Sequence, residues 1–338
     1  MGGILRKFSD ITAIIPAAGL GKRLRPHTFT LPKVLISVAG KPILGYILDF
    51  LNDIGIEKIV VIIGHLGEKV KEFVEKNYRF KTLFIEQKEF LGLGYAINLT
   101  RDYVKGKTLI ILGDTLIEGD IVSHLEKGYN WIGIKEVEDP ERFGIVIEGK
   151  DGWIEKLIEK PEKPVSNKAI VGIYYLNNSR LLFDSLKEII EKGIRTKGEF
   201  QLTDALQILI EKGEKIKAVP IDKWYDCGKV ETLLKTNRYL LDKKKSEIKK
   251  IPSVVINQPV YIGERTKISN CVIGPYVSIG NGVEIENVII QDSIINDNSV
   301  IKNVILKNSV IGQNAVLIDK PQMINLGDNS EIKLEETD

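Results

Sequence analysis

The stretch AIIPAAGLGKRLRP, residues 13–26, closes an apolar run with small residues and glycines, and Lys22, Arg23 and Arg25 follow at once. A glycine turn after a strand can aim backbone N–H groups at an anion. Three cations beside it add charge, so a polyphosphate is the ligand this stretch suits. It is not a P-loop, because G-x-x-x-x-G-K-[ST] is absent, and a dinucleotide fingerprint needs three spaced glycines where only Gly19 and Gly21 stand. Lys33 follows a proline in LPKVLISVAGKPILGY, and Asp114 ends the apolar run in ILGD. A carboxylate at the tip of a buried strand is costly unless it is solvated, paired or bound to a cation. Asp226 in WYDCG is a second such carboxylate. A hard cation such as Mg²⁺ takes one or two carboxylates together with phosphate oxygens. The basic turn and the two aspartates therefore suggest a metal–nucleotide site.

Such residues need elements to hold them. Over residues 11–240, apolar runs (ITAIIPA, KIVVIIG, TLFIEQ, TLIILGD) alternate with stretches of helical spacing (PILGYILDFLNDIG, EKVKEFVEKN, YAINLTRDYV). Strand and helix in turn, with strands apolar throughout, predict an α/β, Rossmann-like domain with a mostly parallel sheet covered on both faces. Ligands in such folds sit at the carboxyl ends of the strands, where AAGLGKR and LGD both fall.

The pattern changes after Tyr239. LDKKKSEIKK reads as a charged helix or linker. Ile262 and Ile268 are then six apart, as are Ile273, Ile279 and Ile285, and again Ile295 and Ile301, with Ile311 ten further on. One aliphatic residue per six, separated by small and polar stretches such as GNGVE and NDNSV, predicts a β-solenoid. Hexads of this kind read as a left-handed parallel β-helix of about four coils. The expected division is a catalytic domain over 1–240, a charged linker over 241–252, the β-helix over 253–320 and a tail over 321–338.

Composition narrows the function. The 338 residues carry 48 Lys and Arg against 46 Asp and Glu, a net charge of +2. A general nucleic-acid binder carries a strong basic excess, so none is expected here. The two cysteines, Cys227 and Cys271, allow no disulfide framework and fit a cytoplasmic setting. No secretory signal and no membrane-spanning run is visible.

Taken in order, these motifs resemble those of the sugar-phosphate nucleotidylyltransferases. AAGLGKRLRP…LPK is similar to their G-x-G-T-R-x-x-P…P-K signature, with Lys22 in place of threonine. GKPIL, EQKEFLGLGYAI, LGDTLIEGD, DPERFGIV, EKPEKPVSNKAIVGIY, KGEFQLTD and WYDCGKVETLLKTNRYLL follow as the family's further blocks do. Within the family, the likeness is to long-form glucose-1-phosphate thymidylyltransferases with a β-helix tail. Tyr95 stands where these carry His or Gln and is expected to bear on specificity.

The resemblance implies a reaction of a nucleoside triphosphate, dTTP favoured, with a sugar 1-phosphate. The alternatives are the same chemistry with UTP and glucose- or N-acetylglucosamine 1-phosphate or with GTP and mannose 1-phosphate, and a non-catalytic regulatory homologue, against which stands the presence of Arg23, Lys33, Asp114 and Asp226. The nucleophile is already an anion, so no general base is required, which fits a chain with only His27, His65 and His124. The resemblance also implies roles. Asp114 and Asp226 would hold Mg²⁺, and Arg23, Lys33 and Lys160 would neutralise phosphate charge. Ala17, Gly19, Leu20, Gly21, Gln87 and Gly92 would bind the nucleotide, and Gly144, Glu159 and Val171 the sugar. Glu199, Thr203 and Asp204 are expected to shape the wall, Trp224 and Tyr225 to be core or lid aromatics, and Cys227 to be a packing residue. Hexapeptide solenoids also resemble acyltransferases, which use a histidine base, but no histidine follows His124. The tail is therefore expected to assemble a homo-oligomer rather than to transfer acyl groups.

Overall fold

The computed structural model of the protein describes residues 7–244 and 250–319. The chain divides into two compact units, Met1–Leu240 and Leu241–Asp338. Strands of the first unit are β1 (Thr12–Pro16), β2 (Ser37–Val38), β3 (Lys41–Pro42), β4 (Lys58–Ile63), β5 (Lys81–Glu86), β6 (Thr108–Ile111), β7 (Thr115–Glu118), β8 (Asn130–Glu136), β9 (Gly144–Glu148), β10 (Ile154–Glu159), β11 (Lys168–Leu176), β12 (Ile216–Pro220) and β13 (Lys223–Asp226). Its helices are α1 (Ile43–Asp53), α2 (Gly67–Asn77), α3 (Leu93–Asn98), α4 (Ile121–Lys127), α5 (Ser179–Glu191) and α6 (Leu202–Glu211), and α7 (Val230–Lys243) runs past its end.

Nine strands form one sheet in the order β10-β9-β11-β6-β1-β4-β5, with β8 beside β11 and β12 beside β8. The run β6-β1-β4-β5 is parallel throughout. Its β-branched residues are buried in β1, β4 and β6, as a strand covered on both faces requires. Beyond β6 the sheet becomes mixed, because β11 runs antiparallel to both β6 and β8. Helix α3 is shorter than the spacing of YAINLTRDYV predicts. The buried Thr100 hydroxyl donates to Ile97 O (2.8 Å), a local bond that competes with the helical ladder, and the chain continues in turns to Val104.

Two features shape the carboxyl end of the sheet. The register of β11 shifts between Ile170 and Tyr174, and within this bulge Gly172 O accepts from Leu112 N–H (2.9 Å) just past β6. Strand β13 pairs antiparallel with β7, with Asp226 opposite Thr115. Among the described residues, no helix is long and apolar enough to cross a membrane.

The second unit is a left-handed β-helix of four coils. Its strands are β14 (Val254–Ile256), β15 (Val260–Ile262), β16 (Lys267–Ser269), β17 (Cys271–Ile273), β18 (Val277–Ile279), β19 (Glu284–Glu286), β20 (Ile289–Gln291), β21 (Ile294–Ile295), β22 (Val300–Lys302), β23 (Ile305–Lys307), β24 (Val310–Ile311) and β25 (Val316–Ile318). They form three four-stranded parallel sheets, β14-β17-β20-β23, β15-β18-β21-β24 and β16-β19-β22-β25. Every isoleucine of the six-residue series packs into the central column. Ile290 and Leu306 fill the two gaps of ten. The corner between Ile290 and Ile295 has one residue fewer than that between Ile273 and Ile279, so the period slips there.

The corners need left-handed backbone. Asn270, Asn287 and Asn303 supply it at one edge, with φ of 53°, 56° and 59°. Their side-chain amides also bond coil to coil, Asn270 to Asn287 at 3.3 Å and Asn287 to Asn303 at 2.9 Å. Leu241–Lys243, expected in the linker, close α7. Part of that linker (245–249) and the expected tail lie outside the described residues.

Candidate active site

Two cavities meet at the carboxyl ends of β1 and β6. The first, of about 280 Å³, is lined by Pro16, Ala17, Ala18 and Gly19 after β1, by Lys33 and Val34, and by Gln87, Phe90, Gly92, Leu93 and Ala96. Small apolar side chains dominate it, and the amide of Gln87 is its neutral polar group. The Gln87 Nε2–H donates to Glu89 O at 3.0 Å, which fixes the amide plane. The second cavity, of about 410 Å³, is polar. It gathers Arg23, Arg142, Lys160, Asp226, Glu159, Gln201 and Thr203 around a floor that includes Gly144, Val171 and Tyr174. Leu93, Leu112, Asp114 and Glu199 border both cavities.

Asp114 is the hinge of this arrangement. Lys33, a residue 8% exposed, is ion-paired through its ammonium with Asp114 Oδ2. A buried ammonium is tolerated only with such a partner. Lys33 is held in a short 3₁₀ turn after Pro32. Pairing of β13 with β7 sets Asp226 beside Thr115, and Cys227 N–H donates to Asp114 O at 3.1 Å. Arg23 reaches the same place: its Nη2 and Asp226 Oδ1 stand 2.7 and 2.8 Å from the point where Gly228 would carry a Cβ. Burial pushes the Cys227 thiol up to about 12, so it stays protonated near neutrality and is no nucleophile there.

The far wall of the polar cavity is built on Glu159. Its Oε2 accepts from Thr203 Oγ1 at 2.6 Å, and its Oε1 lies 3.3 Å from Lys160 Nζ. Gly144 makes room for it, since a Cβ there would stand 2.9 Å from Glu159 Oε2 and 3.2 Å from Thr203 Oγ1. Asp204 lies behind this wall. Burial, and then the charge of Glu159, raises its carboxyl above the usual range, against a hydrogen bond from Thr196. Its Oδ2 has no hydrogen-bond partner among the described residues. Trp224 also lines the cavity, with Phe143 packed edge-on at 4.9 Å.

Most residues singled out from sequence come together here. Ala17, Gly19, Lys33, Gln87, Gly92 and Asp114 line the apolar cavity, and Arg23, Asp114, Gly144, Glu159, Lys160, Val171 and Asp226 the polar one. Leu20 and Gly21 line neither. Gly21 instead forms the turn at φ 60°, its carbonyl accepting from Thr28 Oγ1 at 2.9 Å. Tyr95 also lines neither cavity. Its hydroxyl is 3.1 Å from Glu89 Oε2 and its ring packs against the core. Tyr225 stacks on Tyr239 at 4.4 Å. No histidine borders either cavity.

Arg142 was not legible as a site residue. It closes the 3₁₀ turn Pro140–Arg142, is ion-paired with Asp139, and joins Arg23 and Lys160 on the polar cavity. Its charge two residues before the close-packed Gly144 was the available signal.

Among the described residues, no group of three or more His, Cys, Asp or Glu could form a metal cage. Two hard carboxylates beside three cations and a Gly turn instead suit an ion that keeps phosphate oxygens as its remaining ligands. Asp114 and Asp226 therefore fit Mg²⁺. The arrangement can hold a planar heterocycle in one compartment and a polyhydroxylated phosphate ester in the other, with cations where their phosphates would meet.

Residues 12–243 match the family described as Nucleotidyl transferase. The chain is 40% identical over 256 residues to a protein of Methanocaldococcus jannaschii named bifunctional protein GlmU, covering 75% of this chain and 60% of that protein. Its likeness to the low-salt glycan biosynthesis nucleotidyltransferase Agl11 of Haloferax volcanii is 33%, over 95% of this chain and 99% of that one. A glucose-1-phosphate thymidylyltransferase of Streptomyces antibioticus is 31% identical, over 86% and 88%. A crystal structure of UDP-glucose pyrophosphorylase with UDP-glucose superposes with a TM-score of 0.60 at 26% identity, covering 69% of this chain and 99% of that one. The chain spans about 60% of the length of the GlmU relative. From residue 12 to residue 243, through both cavities, this chain belongs to the nucleotidyl transferase family.

Proposed function

We propose that the protein joins a nucleoside triphosphate to a sugar 1-phosphate, with dTTP and glucose 1-phosphate as the favoured pair. The observation that carries this reading is the meeting of an apolar slot and a cation-rich polar cavity at Asp114. A phosphate oxygen of the sugar attacks the α-phosphorus in line. A new O–P bond forms, the bond to the β-phosphate breaks, and pyrophosphate leaves with the electron pair. The nucleophile carries its charge already, so no proton has to be removed, consistent with the absence of histidine from both cavities.

The difficulty is bringing two anions together, which positioning and fixed charge address. Arg23 sits on the leaving-group side, with a planar fork suited to phosphate oxygens. Lys33 orients Asp114 and adds positive charge at the junction. Lys160 meets the sugar phosphate, while Glu159 and the Gly144 backbone accept from and seat the sugar hydroxyls. Mg²⁺ on Asp114 and Asp226, when bound, would supply positive charge to the reacting phosphates.

The thymidylyltransferase relative and the UDP-glucose pyrophosphorylase neighbour differ in nucleotide, and the same chemistry with UTP and glucose- or N-acetylglucosamine 1-phosphate, or with GTP and mannose 1-phosphate, is the alternative. Pyrophosphate release over a grid of nucleoside triphosphates and sugar 1-phosphates decides it. The dTTP–glucose 1-phosphate cell is expected to dominate; a dominant UTP or GTP cell overturns the specificity, and silence across the grid overturns the activity.

Asp114→Asn is expected to lower turnover by about three orders of magnitude while leaving the thermal unfolding midpoint near wild type. Gly144→Ala, which displaces Glu159, is expected to raise KM for the sugar phosphate about ten-fold and leave KM for the triphosphate unchanged.

We also propose a cytoplasmic homo-oligomer joined through the β-helix. Supporting this is a column on the outer face of its first sheet, where Val255, Val272, Ile289 and Ile305 stand in register and Ile305 is 76% exposed. The column carries no charge to pair with an unlike partner. Sedimentation of the full chain with Ile289→Glu and Ile305→Glu should show a smaller species than wild type; an unchanged coefficient would sink the assembly role.

A further inference from the structure

We infer that Phe90 is the stacking platform for the nucleobase, a substrate-contacting residue beyond the motif positions. This rests on the nucleotidyl-transfer reading above. Phe90 is 46% exposed, between Leu91 and the Gln87 that borders the same cavity. It lines the apolar cavity and also an open cleft of about 890 Å³ on the other side of Gln87. Leu91 and Leu93 pack on the core, whereas Phe90 is left at the boundary of the two spaces. Among the described residues, no ring stacks on it and no cation covers it. What sets Phe90 apart is its place, on the wall of the apolar cavity beside the Gln87 amide, with a ring face free to take a planar ligand.

The ring is not on a loose flap. Ile63 O accepts from Gln87 N–H at 2.8 Å before it. After it, Leu91 O accepts from Phe200 N–H and Phe200 O accepts from Gly94 N–H, both at 2.8 Å. Gly92, at φ 113°, lets this segment lie against Phe200, whose carbonyl oxygen would be 2.5 Å from a Cβ. Backbone bonds therefore pin the segment on both sides of Phe90. A planar heterocycle in the slot would present its edge to the fixed Gln87 amide and a face to Phe90. Every base has a π-face, so the ring gives affinity and the amide gives choice.

The test uses the full chain, with Phe90→Ala, Phe90→Leu and Phe90→Trp, titrated with dTTP, UTP, ATP and inorganic pyrophosphate. Phe90→Ala and Phe90→Leu are expected to bind all three nucleotides about ten-fold more weakly, with pyrophosphate affinity unchanged. Phe90→Trp should keep wild-type affinity, and its added emission should respond to nucleotide and not to pyrophosphate. Wild-type nucleotide affinity in Phe90→Ala overturns the stacking role while leaving nucleotidyl transfer intact. Equal weakening for pyrophosphate overturns it too, by showing that the segment and not the ring was altered. A wild-type chain that binds none of the nucleotides overturns both readings together.

Discussion

The antiparallel pairing of β13 with β7 is the constraint on which the cleft depends. It brings Asp226 beside Thr115, and so beside Asp114, across more than a hundred residues of chain. Two carboxylates set together repel. The fold answers with Lys33, buried and ion-paired to Asp114, and with Arg23, whose guanidinium shares the space in front of Gly228 with Asp226. Tyr225 on β13 stacks on Tyr239 of α7, and the Tyr239 hydroxyl bonds to Glu118 of β7, so α7 ties the two strands together. The charge balance of the site and the strand pairing are thus one structure: removing the cations would load the pairing with uncompensated negative charge.

Division of labour between the two cavities follows from what lines them. Ala17, Ala18, Gly19 and Ala96 give an apolar cavity with one fixed amide, Gln87, on its wall. Arg23, Arg142, Lys160, Glu159 and Thr203 give a cavity able to hold hydroxyls and charge together. Preorganisation is visible in both. The Gln87 amide is fixed by Glu89 O, and the Glu159 carboxylate by Thr203 and Lys160. Groups already aimed before the ligand arrives do not have to reorganise during reaction.

The β-helix rests on different physics. Its coils are held by an aliphatic column and by corners that demand left-handed backbone, which asparagine tolerates while bonding to the coil above. Each coil mainly meets its neighbours, so the corner shortened by one residue between Ile290 and Ile295, and again between Leu306 and Ile311, is absorbed locally without breaking the column.

Local chemistry was readable without coordinates. Apolar β-branched runs announced the parallel strands, six-residue isoleucine spacing announced the solenoid, and the glycine turn, Lys33 and the two aspartates pointed to the candidate cleft where the fold gathers them, because each signal lies in residue type and short-range spacing. Ile290 escaped the six-residue count only because a corner had lost a residue. Long-range geometry was not readable. Nothing in the spacing tells that Gly21 stands in a left-handed turn closed by Thr28, that Tyr95 turns to Glu89, or that Arg142 and Phe90 face the cleft. Those facts depend on which strand pairs with which and on which space is left between packed side chains, and only the folded chain decides that.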